Sequence, residues 1–273
     1  MNMKFEKLGA LRDKLRNENY GIQWQLISEY LIEEALGTAW MEKNLSLDAP
    51  RTAPLNQKLD QFARDLDHHM TCTRLGHMLY LLKDSPGFDK LLADAATRDF
   101  EPVFFEMYAA ALLKENGYPV RFVSPTGQKG QDYDLQVEVG GTLAAVEVKT
   151  RRNGLVKDVT TLSNTLKKAK KQLPDDIPSI ICIALSTEYL DSGRHAEEEI
   201  EKVIDAFLRG TKQISGVLAF WNSWQGNPLQ CLTPLKEYRN SDARTHLCHS
   251  WLISPKVASG AQATQNGFPS FLL

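Results

Sequence analysis

The feature that most limits the fold of this chain is a pair of glycines between two stretches of alternating apolar residues. DYDLQVEV (residues 132–139) comes before Gly140 and Gly141, and TLAAVEVK (residues 142–149) follows them. A two-residue glycine loop between such stretches is a strong signal for a tight hairpin, because glycine adopts positive φ without steric cost. We therefore predict an antiparallel hairpin in which the numbers of opposed residues sum to 281.

This register places Asp134 opposite Glu147 and Lys149 opposite Asp132. Opposed residues point to the same face, with side chains about 5 Å apart, and like charges in that position destabilise a sheet. A bound divalent cation would offset the repulsion, since Mg²⁺ takes one or two carboxylates together with waters and phosphates. An exposed face with an Asp132–Lys149 ion pair, worth at most about 1 kcal/mol, is the alternative. It does not explain why acids interrupt apolar strands.

A third acid precedes the hairpin. The segment PVFFEMYAAALL, residues 102–113, carries a single charge, on Glu106. An unpaired carboxylate is costly to bury, so Glu106 either lies at the edge of a half-exposed helix face or takes part in a functional site. Its position just before the hairpin makes it our third candidate acid.

The order of predicted elements favours an α/β fold preceded by helices. Apolar residues recur at spacings of three and four through the first hundred residues, which is typical of helices. After Asp99 the patterns predict a helix from about Pro102 to Asn116 that stops at Gly117, then three strands, a basic helix ending near Leu173, and a fourth strand. This order predicts an α/β sheet domain. We divide the chain into a helical N-terminal region, 1–98, and an α/β domain, 99–273.

Positive charge is concentrated in one part of the chain. Residues 149–171 contain eight Lys or Arg and one acid, Asp158, a local net charge of +7 in a chain whose net charge is -2. Such a strip is typical of a surface that contacts phosphates. A solvated helix face followed by a loop would look the same in sequence.

Other features restrict the class of protein. The apolar content of 42% is that of a globular protein. The first residues contain no apolar signal region and no apolar run is long enough to span a bilayer, so we expect a cytoplasmic protein without membrane contact. The cysteines form no CxxC pair, which argues against a zinc ribbon. Two His and Cys groups are weaker metal candidates: His68, His69, Cys72 and His77, and Cys231, His246, Cys248 and His249.

These residues carry a resemblance to a known superfamily. Asp134, followed thirteen residues later by Glu147-Val148-Lys149, resembles the D...ExK signature of PD-(D/E)xK nucleases. The preceding FFEMYAAALLKENGYPV is similar to a helix of Mrr-type restriction endonucleases and resolvase-like nucleases. The order helix, three strands, helix, strand is also that of the superfamily core, the restriction-endonuclease-like fold. Tyr133 stands where the family's nominal proline would be.

The resemblance implies metal-dependent hydrolysis of phosphodiester bonds, with Mg²⁺, or Mn²⁺ as a substitute, as cofactor. It implies that Asp134, Glu147 and the Val148 carbonyl hold the metal, that Lys149 orients water or stabilises charge, and that Glu106 completes the site. In related nucleases the following helix often places a Gln or Lys at the site, which makes Lys168 and Gln172 candidates. The predicted nucleic-acid contacts are Arg151, Arg152, Lys167, Lys168, Lys171 and Gln172.

Three functions remain open on the sequence. The first is a nuclease acting on nucleic acid, DNA rather than RNA, in defence, repair or mobile-element traffic. The second is a catalytically weak nuclease fold that binds nucleic acid or a protein. The third is a purely structural use of the fold. We also expect a homo-oligomer and a protein partner at the N-terminal helices. The sequence contains no zinc finger and no helix-turn-helix with a readable recognition helix, so sequence preference cannot be read, and without a Walker A motif no ATP-driven motor is implied.

Overall fold

The N-terminal part of the chain is helical, as predicted. A computed structural model describes residues 7–45, 61–95, 97–128, 130–150, 159–185, 196–221, 223–225, 230–232 and 235–247. Its first helices are α1 (Leu8–Leu15), α2 (Tyr20–Leu36), α3 (Thr38–Leu45), α4 (Gln61–Leu82) and α5 (Phe88–Ala95). None of the helices in these ranges combines the length and the apolar composition that crossing a membrane would require.

A mixed sheet with helices on both sides follows. The remaining elements are α6 (Phe100–Glu115), β1 (Val120–Phe122), β2 (Leu135–Val139), β3 (Thr142–Lys149), α7 (Val159–Lys170), β4 (Ser179–Ala184), α8 (Ala196–Arg209), β5 (Ile214–Phe220), β6 (Ser223–Gln225), β7 (Gln230–Leu232) and β8 (Leu235–Arg239). Six strands form one sheet in the order β1-β2-β3-β4-β5-β8, while β6 and β7 pair separately. Strands β3, β4 and β5 run parallel, and the other neighbours are antiparallel. The predicted α/β class is confirmed.

Two apolar cores lie on the two faces of this sheet. Helix α6 packs with Val146 and Phe220 in one core, and α7 and α8 pack with Ala145 and Ile181 in the other. The neighbouring residues Ala145 and Val146 belong to different cores because successive strand residues point to opposite faces. Buried residues of α4, such as Leu79, belong to the same core as α6. Apolar contacts therefore cross residue 98, where our domain boundary stays a prediction.

The hairpin β2–β3 has the predicted register. Leu135 pairs with Val146, Val137 with Ala144 and Val139 with Thr142. Gly140 has a φ of 58° and Gly141 a φ of 80°, and positive φ at both central residues defines the type I′ turn. The turn therefore determines which residues meet at the open end of the hairpin, where the candidate acids lie.

Candidate active site

The open end of the β2–β3 hairpin forms one wall of a cleft of about 510 Å³. Helices α5 and α6 and the chain between β1 and β2 supply the other walls. All the residues that we predicted as catalytic or metal-binding line this cleft: Glu106, Asp134, Glu147, Val148 and Lys149. The fold thus brings together side chains that are up to 43 residues apart in sequence.

Glu147 is the most buried acid of the cleft, with an exposed fraction of 0%. Its Oε1 accepts a hydrogen bond from Nζ of Lys149. Its Oε2 is also buried and has no hydrogen-bond partner within the part of the chain that the structure describes. Burial, followed by repulsion from Asp134, raises the pKa of Glu147 to about 8. Glu147 is thus a buried acid whose charged form is disfavoured by its surroundings, and Asp134 is the acid next to it.

Asp134 lies opposite Glu147, half-buried, one residue before β2 begins. Its Oδ2 accepts a hydrogen bond of 2.7 Å from the backbone N–H of Val148, which holds the carboxylate across the hairpin. Burial raises the pKa of Asp134, although that N–H and the charge of Lys149 act in the opposite direction. Asp134 and Glu147 line the same cleft, and that one cation bridges their carboxylates stays a prediction.

Glu106 reaches the cleft from the middle of α6 and is only 7% exposed. Two hydrogen bonds link it to Arg98, of 2.5 Å from Nη2 to Oε1 and 3.3 Å from Nη1 to Oε2. Burial, followed by repulsion from Asp134, raises the pKa of Glu106 to about 7, and Arg98 partly opposes this shift. Glu106 therefore lies close enough to Asp134 for the charge of one carboxylate to affect the other.

Our sequence reasoning missed Arg98, the ion-pair partner of Glu106. Arg98 lies before the start of α6 and eight residues from Glu106. Sequence patterns reveal pairs that are three or four residues apart on one helix, so this pair gave no such signal. Its side chain is 40% exposed and lines the same cleft. A cation within reach of a lone buried acid was the signal to look for, because buried carboxylates are usually paired.

Asp132 does not have the role that the alternative interpretation gave it. Its Oδ1 accepts hydrogen bonds from the backbone N–H groups of Thr126 and Gly127, at 2.7 and 2.9 Å, and from the Thr126 hydroxyl at 3.1 Å. The Thr126 backbone hydrogen bond is the main reason that the pKa of Asp132 is lowered. These bonds draw the chain into a loop, so β2 begins at Leu135 instead of residue 132. The predicted pairing of Asp132 with Lys149 is wrong, since Lys149 bonds Glu147.

The predicted nucleic-acid contacts fall into separate places. Gln172 lines the cleft and donates a 3.1 Å hydrogen bond to the backbone carbonyl of Asp132. Lys168 is exposed and does not line the cleft. Because α7 ends at Lys170 and Gln172 follows in a turn, Lys168 and Gln172 do not share a helix face. Lys167 and Lys171 line a neighbouring groove. Arg151 and Arg152 lie outside the described residues.

The weaker metal candidates gain little from the structure. Sγ of Cys72 lies 3.6 Å from Nε2 of His68, and burial raises the pKa of the Cys72 thiol to about 12, which disfavours the thiolate that a metal needs. His77 forms an ion pair of 2.6 Å with Glu115. The side chains of Cys231, Cys248 and His249 lie outside the described residues. Across the described ranges, no three His, Cys, Asp or Glu side chains form a group able to hold a metal ion.

The acids of the cleft nevertheless fit a hydrated divalent cation. Mg²⁺ is usually held by one or two carboxylates together with waters and substrate phosphates, so a cage of three protein ligands is not needed. Asp134 and Glu147 supply two carboxylates in one cleft, and the second oxygen of Glu147 has no hydrogen-bond partner among the described residues. Burial raises the pKa of both acids, and repulsion from Asp134 raises that of Glu147 further; a cation would favour the charged form of each.

One comparison with known proteins matches this part of the chain. Residues 97–173 match a family model described as a restriction endonuclease, Mrr_cat, which represents a family of PD-(D/E)xK nucleases. The match begins just before α6 and ends just after α7, and it includes all the candidate acids. Comparisons with curated proteins and with solved structures returned no match. The predicted resemblance is confirmed, and the sheet order agrees with a restriction-endonuclease-like fold.

Proposed function

We propose that this chain, whose residues 97–173 form a PD-(D/E)xK nuclease domain of the restriction endonuclease family, hydrolyses phosphodiester bonds in DNA with a divalent cation. Mg²⁺ is the expected cation and Mn²⁺ a substitute. One observation supports this function most: Asp134, Glu147 and Lys149 lie together in a cleft where a buried oxygen of Glu147 lacks a partner among the described residues. Opposed buried carboxylates destabilise a fold, so their presence favours a role with a cation.

The residues of the cleft divide the work as follows. Asp134 and Glu147 would hold the cation, while the N–H of Val148 keeps the Asp134 carboxylate in place. A bound divalent cation would lower the pKa of a coordinated water and neutralise charge on the phosphate. Lys149, already hydrogen-bonded to Glu147, positions the attacking water or stabilises the charge that develops on the phosphate. Glu106 acts through water or a second ion, and Arg98 holds its carboxylate.

Phosphate contacts on either side of the cleavage site come from the basic strip and Gln172. Such contacts position a nucleic acid without specifying its sequence, so a sequence preference is not part of this proposal. A cytoplasmic location, a homo-oligomer and a protein partner at the N-terminal helices stay predictions from the sequence. Three exposed apolar side chains of α2 offer a place for such a partner: Tyr20, Ile22 and Leu26.

Digestion of a panel of nucleic acids tests the proposed function. Purified protein is incubated with single- and double-stranded DNA and RNA, with Mg²⁺, Mn²⁺ or a chelator. We expect cleavage of DNA only with a divalent cation, and loss of cleavage in Glu147→Gln. Glu138→Gln is the matched control, because Glu138 is an exposed acid on the same strand as Leu135 and lies outside the cleft. If no substrate is cleaved but nucleic acid still binds, the chain is a binding module that keeps the nuclease fold.

A further inference from the structure

A second groove lies beside the cleft and shares two lining residues with it. Its volume is about 1080 Å³, roughly twice that of the cleft. Lys167, Lys170 and Lys171 line this groove, and Val123 and Tyr133 line both the groove and the cleft. Tyr133 therefore lies where the lining of the cleft meets that of a groove with three lysines. We call it the lysine groove.

The wall between the two cavities is formed by residues 124–128 and 130–132. Ser124 and Pro125 line the cleft, whereas Thr126 and Gln131 line the lysine groove. The loop is held by the three hydrogen bonds that Asp132 accepts from Thr126 and Gly127, and by the bond from Gln172 to the Asp132 carbonyl. The segment that separates the two cavities is therefore held in place by hydrogen bonds at Thr126, Gly127 and Asp132.

The lysine side of the groove is also held in place. Nε2 of Gln213 donates to the carbonyls of Lys170, Leu173 and Pro174, at 3.1, 2.7 and 3.3 Å. Within the described ranges no salt bridge engages Lys167, Lys170 or Lys171, so their charges are available to a ligand. Asp175 and Asp176 line the groove as well, which confines the attraction for anions to the lysine side.

We infer that the lysine groove binds a single-stranded nucleic-acid segment next to the cleavage site, with its phosphates at the lysines and an unpaired base against Tyr133. This inference rests on the proposed function, since the strand is the continuation of the one in the cleft. The half-buried ring of Tyr133 stands where the two cavities meet. Stacking on an aromatic ring needs a base that is not already stacked in a duplex. A cationic groove combined with such a ring is typical of single-strand binding sites.

Binding without a divalent cation tests this inference separately from catalysis. The ligands are a blunt DNA duplex and the same duplex with a single-stranded extension, titrated in chelator at several salt concentrations. The variant carries Lys167→Gln, Lys170→Gln and Lys171→Gln together. A matched control carries Lys43→Gln, Lys202→Gln and Arg209→Gln, three exposed cations outside both cavities.

We expect the groove variant to lose much more affinity for the extended duplex than for the blunt duplex. Its salt slope on the extended duplex should be smaller by about 2, because each phosphate contact with a single strand contributes about 0.7. The control should match the parent on both ligands. Lys168→Gln should have a smaller effect than Lys171→Gln, since Lys168 lies outside the groove.

Tyr133 gives an independent arm of the test. Tyr133→Ala should weaken binding of the extended duplex about tenfold, and Tyr133→Phe should restore it, because stacking depends on the ring and not on the hydroxyl. Thermal melting of each variant checks that the fold is kept.

The inference is overturned if the groove variant binds the extended duplex with the parental affinity and salt slope, or if it weakens both ligands equally. A parent that binds neither ligand overturns it too. The proposed function fails by a different result, namely a parent that binds DNA but cleaves nothing with Mg²⁺ or Mn²⁺.

Discussion

The cleft and the lysine groove share a wall, yet they hold their charges in opposite ways. In the cleft, Glu106 and Glu147 are buried, and burial raises the pKa of both carboxyls. In the groove, Lys167 and Lys171 are exposed and form no salt bridge with a described residue. One cavity thus concentrates acids at a cost in folding free energy, while the other presents cations at little cost.

This difference determines how strongly the side chains of each region indicate a bound ligand. Burying acids beside one another is unfavourable, so the cleft by itself points to a ligand that compensates the charge. Exposed lysines are common on protein surfaces and support a function only through their location. For the groove, that location is beside the cleft, with Val123 and Tyr133 in the lining of both.

The largest effect is expected when a cleft acid is removed. Asp134→Ala should lower the rate of cleavage on the order of 10³-fold or more, because a ligand of the cation is lost. Binding of nucleic acid without metal should be unchanged or tighter, since a negative charge near the phosphate disappears. Single-turnover cleavage and binding in chelator measure the two quantities. Cleavage within about threefold of the parent would remove Asp134 from the site.

Lys149→Ala should also abolish turnover, by on the order of 10² to 10³-fold, but for a different reason. Lys149 neutralises part of the charge on Glu147. Its removal should leave the affinity for Mn²⁺ equal or higher, because one positive charge next to the cation is gone. Calorimetric titration with Mn²⁺ alongside the cleavage assay separates these roles. Weaker Mn²⁺ binding in the variant would show that Lys149 serves to place the acids.

The raised pKa of Glu147 predicts how stability depends on pH. The pKa moves from 4.5 to about 8 on folding, so between these values the folded chain binds more protons than the unfolded chain. The contribution of Glu147 to stability is therefore lost as pH rises from about 5 to 8, and is constant outside that window.

Glu147→Gln should remove this loss and stabilise the protein at pH 8 by roughly 2–4 kcal/mol in the absence of divalent cations. Mg²⁺ should stabilise the parent more at pH 8 than at pH 5, because metal ligands must be deprotonated. Denaturant unfolding at both pH values measures this. If the free energy of unfolding falls equally with pH in parent and variant, the titration of Glu147 is not the cause of the pH dependence.

The smallest effect on cleavage is expected from the removal of Arg98, the cation that pairs with Glu106. Arg98→Ala leaves Glu106 without its cation, so the pKa of Glu106 should rise further above about 7. We expect cleavage at pH 7 to fall about tenfold and to recover as pH increases. Arg98→Lys should restore part of the rate at pH 7. A loss that is the same at every pH would mean that Arg98 acts elsewhere, for example on the phosphate.

Short stretches of sequence were sufficient to predict those features that depend only on neighbouring residues, such as turns, strand register and helix ends. Gly140 and Gly141 predicted the turn, and the turn determines which residues oppose one another in the hairpin. Gly117 predicted the end of α6, and it has the positive φ of 86° that a helix stop requires. The Asp134–Glu147 pair followed from the register alone, before any other part of the chain was considered.

The sequence by itself thus determined the hairpin, the order of helices and strands, and the set of acids, because these depend on residue spacing. Tertiary structure alone decided how those acids are partnered. Arg98 meets Glu106 and Gln172 meets the Asp132 carbonyl only because packing brings α6, the turn after α7 and the loop before β2 to one cleft. The structure also drew Asp132 out of β2 and into that loop. Contacts between distant segments leave no periodic trace in a sequence, since burial and charge compensation across the fold select them.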